Sequence, residues 1–158
     1  MLVEEIMTRD ALACTEQQTL SEAAQQMWEG DIGAVAVVNE EGVPTGMITD
    51  RDICMAGYTQ GTPLSEIPLA SAMSKNLITV SAYTEVNVAQ KLMGDNQVRR
   101  LPVVDEVGKL VGIVTLTDVA QRAGRGRSDV PAREVAETLK EVSRPRWMAK
   151  PGPASTGQ

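Results

Sequence analysis

Residues 46–53 read GMITDRDI, and residues 112–119 read GIVTLTDV. Both stretches have the order Gly, two apolar residues, Thr, two variable residues, Asp and one apolar residue, and they lie 66 positions apart. The same spacing aligns the chain with itself without a gap, from Ile6 with Ala72 to Gly57 with Ala123. A fixed period of this kind indicates two copies of one structural unit, each of which needs the other to bury its apolar face.

Each copy predicts the same order of elements. In the first copy, apolar residues recur at helical spacing after the capping-box sequence Thr19-x-x-Glu22, which predicts a helix that ends near Gly30. Runs rich in Val, Ile and Met then predict strands, and the Thr-x-x-Asp sequence that follows predicts a helix start. The predicted segments are extended stretches at 11–15 and 77–81, strands at 34–39, 46–49, 101–105 and 110–115, a second-copy helix around 86–93, and helices at 50–57 and from Leu116.

The repeat also predicts the division of the chain. Residues 2–57 form the first copy and residues 71–123 the second, with a Pro- and Gly-containing linker at 58–70 that has one helical turn at 64–67. Beyond the second copy, residues 124–158 are read as a basic extension. GRGR at 124–127 is a hinge, residues 129–142 form one more helix with Val135, Leu139 and Val142 on one face, and the remainder is disordered.

Composition excludes several classes of function. The chain has 158 residues and no histidine, which removes the commonest general base and metal ligand. The two cysteines are too few for a disulfide framework and predict packed, reduced thiols. Residues 1–121 carry 17 acidic and 7 basic side chains, so the main body should repel nucleic acid. We therefore predict no catalytic residues and no metal ligands, and expect a cytoplasmic protein without a signal peptide or membrane span.

The duplicated order resembles the CBS domain, named for cystathionine β-synthase. The resemblance rests on DIGAVAVVNEEGVPTGMITDRDI at 31–53 and VRRLPVVDEVGKLVGIVTLTDV at 98–119, each opened by a shorter match, IMTRD at 6–10 and AMSKN at 72–76. It covers roughly residues 2–123. It implies an α/β fold of two β-α-β-β-α repeats packed about a pseudo-twofold axis, commonly assembled as a homodimer.

The repeated Thr-x-x-Asp has two interpretations that use the same atoms. Thr49 is a natural N-cap, and Asp52 three residues later can bond back to it, an arrangement worth about 1 kcal/mol that needs no ligand. Alternatively, the free N–H groups of the helix start suit a phosphate, and the aspartate can accept hydrogen bonds from a ribose diol. The resemblance assigns this second role to Thr49 and Asp52, and again to Thr115 and Asp118.

The resemblance also implies the remaining residues of a ligand site in each copy. The second-copy set is expected to be the more typical adenosine site, because Thr79 and Pro102 stand where the first copy has Ala13 and Ala36. On that basis Asp118→Ala is expected to weaken a ribose-containing ligand more than Asp52→Ala. The two sets are Ile78, Thr79, Arg100, Leu101, Pro102, Thr115 and Asp118 in the second copy, and Leu12, Ala13, Ala34, Val35, Thr49, Arg51 and Asp52 in the first.

The function implied by the resemblance is a non-enzymatic regulatory module. It would bind AMP, ADP, ATP or S-adenosylmethionine between the repeats, with or without Mg²⁺, as a regulatory ligand rather than a cofactor. The resulting change of shape would act on an effector protein that the sequence does not identify. Two alternatives stay open: an interaction module that binds no nucleotide, and a nucleic-acid-associated regulator that works through the basic tail with Trp147.

Overall fold

The computed structural model describes residues 1–123 and 130–145 of the chain, and the predicted hinge at 124–127 and the Trp147 tail lie outside this part. The described residues form short strands and helices, with three single turns of 3-10 helix at Val3–Glu5, Leu64–Glu66 and Leu69–Ser71. In chain order the strands and helices are β1 (Thr8–Arg9), β2 (Ala13–Thr15), α1 (Leu20–Gly30), β3 (Ala34–Val38), β4 (Pro44–Thr49), α2 (Asp50–Gln60), β5 (Val80–Ser81), α3 (Val86–Asp95), β6 (Arg100–Val104), β7 (Leu110–Thr115), α4 (Leu116–Arg122) and α5 (Ala132–Val142).

The two copies build the same sheet twice, as the repeat predicts. In what we call the first unit, β2 lies parallel to β3, and β3 pairs antiparallel with β4. In the second unit, β5 lies parallel to β6, and β6 pairs antiparallel with β7. The registers correspond as well, because Ala36 faces Met47 in one sheet and Pro102 faces Ile113 in the other. The predicted α/β fold of two CBS-like repeats is confirmed.

The segment that opens each copy packs on the unit of the other copy. Val3 and Met7 are buried in the hydrophobic core of the second unit, and β1 pairs antiparallel with β7 of that unit. Leu69 and Met73 are buried in the core of the first unit in the same manner. The predicted boundaries at 57 and 71 refer to the order of the copies along the sequence. In space, the opening segment of each copy packs into the hydrophobic core of the other unit.

One of two predicted helix ends agrees with the structure and the other differs. Helix α1 includes Gly30 and is capped by Asp31 in the left-handed conformation, at φ 49°, which a short polar side chain tolerates. Helix α2 runs past residue 57 to Gln60 and ends at Gly61, at φ 65°, because a glycine reaches that conformation without steric cost. The first residues of the predicted linker are therefore helical, and the turn predicted at 64–67 is present at Leu64–Glu66.

Helix α5 lies on the second unit, in contact with α3 and α4. It begins later than predicted, at Ala132, with Pro131 as its N-cap. Val135 and Val142 are buried, but Leu139 is 50% exposed, so the predicted apolar face holds only in part. None of the described helices is long and apolar enough to cross a bilayer.

The two thiols lie in different surroundings. Cys14 is buried in the core of the first unit, whereas Cys54 is exposed on α2, and both are free. The expectation that both thiols are packed is therefore wrong for Cys54, which lies on the solvent side of its helix.

Candidate functional site

The repeated Thr-x-x-Asp forms a capping box in both units. In the first unit the backbone N–H of Asp52 donates to Thr49 Oγ1 (3.1 Å), and the N–H of Thr49 donates to Asp52 Oδ2 (2.9 Å). The second unit repeats both bonds between Thr115 and Asp118, at 3.1 and 2.8 Å. The capping role is thus present. It leaves Oδ1 of Asp52 without a hydrogen-bond partner among the described residues and available to a ligand.

An open cleft of about 580 Å³ lies between the two units, and we call it the inter-unit cleft. Its volume falls in the range of small-molecule sites. The first unit contributes the start of α2, and the second unit contributes the residues just before β5 and the start of β6. The lining residues used below are Met47, Thr49, Asp50, Arg51, Asp52, Ile78, Gln97, Arg99, Arg100, Leu101, Pro102 and Val142.

Arg100 is the most unusual group in the cleft. Its side chain is half-buried, and its guanidinium makes no hydrogen bond or ion pair with any residue in 1–123 or 130–145. Burial lowers the pKa of Arg100, the negative charge of Asp50 opposes this effect, and the positive charge of Arg99 adds to it. A desolvated charge without a hydrogen-bond or ion-pair partner is costly. Arg100 is therefore placed to bind an anion.

Two further arginines lie at the same cleft. The guanidinium of Arg51 has no partner among the described residues either, and it extends from the first turn of α2. Arg99 Nη2 donates a hydrogen bond to Ser143 Oγ at 3.3 Å. With two aspartates and three arginines in its lining, the cleft combines one excess positive charge with a carboxylate beside a helix N-terminus, a combination that suits a phosphate and a neighbouring diol.

Half of the residues expected at a ligand site line this one cleft. They are Thr49, Arg51, Asp52, Ile78, Arg100, Leu101 and Pro102. The others lie elsewhere: Ala34 and Val35 are buried in β3, Thr79 is exposed before β5, and Leu12, Ala13 and Asp118 do not line the cleft. Thr115 lines a smaller cavity of about 360 Å³ beside α5, which Arg100 also reaches.

The grouping therefore differs from the expected one. From the sequence, the other ligand-site residues of each copy are expected near the Thr-x-x-Asp of the same copy. In the structure, Ile78 and Arg100 of the second copy line the same cleft as Thr49 and Asp52 of the first. The cause is the exchange of opening segments. This exchange places Ser74 next to β4. The N–H of Ser74 donates to the main-chain oxygen of Met47 at 2.8 Å, and the N–H of Met47 donates to the main-chain oxygen of Ser74 at 3.1 Å.

Sequence reasoning missed several cleft residues. Met47 and Asp50 lie within the repeated motif, at positions where the two copies have different residues. This difference between the copies is the one sequence feature that could have pointed to them. Gln97 and Val142 carry no motif and reach the cleft only through tertiary packing. Among the described residues, no group of three or more His, Cys, Asp or Glu side chains is placed to hold a metal ion.

Comparisons with known proteins agree with the fold of two repeats. A sequence model described as CBS domain matches residues 3–58 and 64–124. The chain is 44% identical over 119 residues to Uncharacterized protein MK0525 of Methanopyrus kandleri, a match that covers 75% of this chain and 61% of that protein. It is 40% identical over 118 residues to CBS domain-containing protein YhcV of Bacillus subtilis, covering 75% and 82%.

A solved structure is similar over the same region. The CBS domain pair of protein MJ0100, in complex with 5′-methylthioadenosine and S-adenosyl-L-methionine, superposes with a TM-score of 0.69. The two are 27% identical, and the match covers 77% of this chain and 94% of that one.

Proposed function

The chain belongs to the CBS domain family, and we propose that it is a regulatory module that binds an adenosine-containing ligand in the inter-unit cleft. The half-buried guanidinium of Arg100, which has no hydrogen-bond or ion-pair partner among the described residues, lines the same cleft as the free Oδ1 of Asp52, and this observation carries the proposal. In a module that binds no ligand, the charge of Arg100 would cost stability in this cleft without a compensating interaction. A ligand with a phosphate and a ribose would satisfy both groups together.

Each part of such a ligand has a counterpart in the cleft. Ile78, Leu101 and Pro102 provide an apolar wall against which an adenine ring can lie. Asp52 Oδ1 can accept hydrogen bonds from the ribose hydroxyls. The phosphate would lie between Arg51 and Arg100 at the positive end of the α2 dipole, where the two guanidinium groups can bind it.

The similar CBS pair of MJ0100 supports the class of ligand. Both molecules in its complex, 5′-methylthioadenosine and S-adenosyl-L-methionine, contain adenosine. Neither carries a phosphate, so the arginines of the present cleft point instead to a phosphorylated adenosine such as AMP. A nucleotide with more phosphates would bring its own Mg²⁺, because the described residues offer no metal cage.

The output would be a change in shape that acts on a partner. A ligand shifts a conformational equilibrium only by its difference in affinity for the two shapes, and a cleft formed by two units is sensitive to the angle between them. We also propose that the molecule acts as a homodimer. Trp28, which is 88% exposed on α1, supports this part of the proposal, because aromatic side chains are enriched at protein interfaces.

The proposal is tested by thermal denaturation and calorimetric titration with AMP, ADP, ATP, S-adenosylmethionine and 5′-methylthioadenosine. Binding to the folded state must raise the melting temperature, and we expect a saturable rise that is largest for a phosphorylated adenosine. GMP is the matched control, since it shares the ribose phosphate and differs in the base. Absence of any saturable rise would overturn the proposal and leave helix capping as the only role of the repeated Thr-x-x-Asp.

A further inference from the structure

The C-terminal end of α5 reaches the inter-unit cleft. Val142, the last residue of α5, lines the cleft and is itself buried. Ser143 Oγ accepts the hydrogen bond from Arg99 Nη2 at 3.3 Å. Gln97 Nε2 donates to the main-chain oxygens of Glu141 at 3.3 Å and Arg144 at 3.5 Å. One wall of the cleft thus comes from a helix outside both repeats.

We propose that α5 is part of the ligand site, so that ligand binding and the docking of α5 stabilise each other. Val142 supplies an apolar wall, and Ser143 is a positioning residue that holds Arg99 at the cleft. This inference rests on the proposed function, because it concerns the same ligand. The inference goes beyond the proposed function because it assigns the coupling to α5, a helix that lies outside both repeats.

The docking of α5 depends on a small residue of α3. A Cβ at Gly94 would lie 3.7 Å from Thr138 Cγ2 and 3.9 Å from Glu141 Cβ, which are ordinary contacts, so this position has room for a methyl group but not for a large side chain. The equivalent position of the first unit is Trp28, whose side chain is 88% exposed. The repeat is therefore asymmetric at this position: the second unit accommodates a helix where the first unit presents an exposed ring.

The polar contact between α3 and α5 is incompletely satisfied. Gln90 Nε2 donates to Thr138 Oγ1 at 2.9 Å, but Gln90 Oε1 is buried without a partner among the described residues. A buried acceptor left unpaired costs about 1–3 kcal/mol, which offsets much of what the first bond contributes. Because this polar contact contributes little, α5 is held mainly by its buried apolar side chains, Val135 and Val142, and a ligand that contacts the docked helix would add to them.

Coupling of this kind is reciprocal. If docked α5 raises the affinity for a ligand, the ligand favours the docked state of α5 by the same factor. A nucleotide would therefore reduce hydrogen exchange along Ala132–Val142, and a substitution that displaces α5 would weaken the nucleotide. The arrangement makes α5 the element that reports occupancy of the cleft to a partner.

The experiment uses the full chain, AMP and two substitutions related by the repeat. Gly94→Trp introduces into α3 the residue found at the equivalent position of the first unit, Trp28. The larger side chain should displace α5, and it should not contact the inter-unit cleft because Gly94 does not line it. We expect AMP to bind Gly94→Trp about 5-fold or more weakly, and AMP to slow hydrogen exchange of α5 in the wild type but not in this variant. Trp28→Gly, the reverse change in the first unit, should leave the affinity for AMP unchanged.

A second pair of variants isolates the positioning role. Ser143→Ala should weaken AMP, because Arg99 is no longer held at the cleft where its charge adds to those of Arg51 and Arg100, and leave 5′-methylthioadenosine unchanged, because that ligand has no phosphate. Ser143→Thr keeps the hydroxyl and should restore AMP binding. Equal binding of AMP by the wild type, Gly94→Trp and Ser143→Ala would overturn the inference while leaving the proposed function intact. Failure of the wild type to bind any of AMP, ADP, ATP, S-adenosylmethionine and 5′-methylthioadenosine would overturn both.

Discussion

Gly46 lies directly against the main-chain oxygen of Ser74. A Cβ built on Gly46 would be 2.7 Å from that oxygen and 3.0 Å from Met73 Sδ. The second unit repeats the relationship, because a Cβ on Gly112 would be 2.6 Å from the main-chain oxygen of Thr8. The glycine that opens the repeated motif is therefore required by the exchange of opening segments, since each segment crosses the other copy's strand at its glycine.

Substitution of either glycine should destabilise the fold. For Gly46→Ala and Gly112→Ala we expect a loss of about 1–3 kcal/mol in the free energy of unfolding, the usual cost of forcing extra atoms into a packed contact. The obstruction is main chain and cannot rotate away. Urea denaturation measures the loss. Gly94→Ala is the control, because its Cβ makes only ordinary contacts and alanine favours a helix; equal stability of all three variants would contradict this explanation.

Much of the fold follows from local patterns in the sequence. The capping box at Thr19 and Glu22, the apolar periodicity of α1 and the paired strand runs are each decided by a few adjacent residues, and the structure has them where expected. The repeat supplied the symmetry of the two sheets. The end of α2 was less predictable, because Gly57 and Gly61 are both glycines at which a helix can end, and Gly61 is the one that does so.

The composition of the site could be predicted only in part. Thr49 and Asp52 are recognisable because capping and ligand binding need the same residue types at the same spacing. Ile78 and Arg100 are expected at a ligand site as well, but with Thr115 and Asp118. Their grouping with Thr49 and Asp52 could not be predicted, because tertiary packing decides which of the two similar sheets each opening segment joins. Nothing in the sequence of α5 signals that Val142 ends at the cleft.

The two aspartates of the repeated motif should separate capping from ligand binding. Asp52→Ala and Asp118→Ala each remove a capping box, and each should lower the free energy of unfolding by roughly 0.5–2 kcal/mol. Only Asp52→Ala should also weaken AMP strongly in a calorimetric titration, because Asp52 lines the inter-unit cleft and Asp118 does not. This order reverses the sequence-based expectation, and a larger loss for Asp118→Ala would restore it.

Arg100 should show opposite effects on stability and binding. Replacing it with methionine removes an unpaired, desolvated charge and keeps most of the side-chain volume, so the melting temperature should stay the same or rise. AMP should bind much more weakly, whereas 5′-methylthioadenosine should be little affected. Differential scanning calorimetry and titration of the same sample provide both values.

Arg51→Met is the matched control for Arg100→Met. Arg51 lines the same cleft but is exposed, so its replacement should weaken AMP without raising the melting temperature. A clear loss of stability in Arg100→Met would show that the guanidinium has a structural partner in the folded protein, and would remove the main support for an anion site.

The two thiols should react at very different rates in the folded protein. Cys54 is exposed, whereas Cys14 is fully buried and burial raises its pKa to about 11. Because the thiolate is the reactive form, an aromatic disulfide reagent at pH 8 should modify Cys54 rapidly and Cys14 only after unfolding. Cys54→Ser should abolish the fast phase. Fast labelling of Cys14 in that variant would mean that the first unit opens locally.

The buried thiol should also make stability depend on alkaline pH. The pKa of Cys14 is raised from 9.0 to about 11, first by burial and second by the negative charge of Glu22. Below pH 9 the thiol is protonated in both states, and its full contribution to stability is present. As the pH rises from 9 toward 11, the unfolded chain releases this proton while the folded protein retains it, so the unfolded state gains. Urea denaturation across this range should therefore show a steeper decline in stability for the wild type than for Cys14→Ala, which lacks the group but keeps every other titrating side chain. Parallel declines would mean that the Cys14 thiol ionises as readily in the folded protein as in the unfolded chain, which is incompatible with a dry core beneath β2.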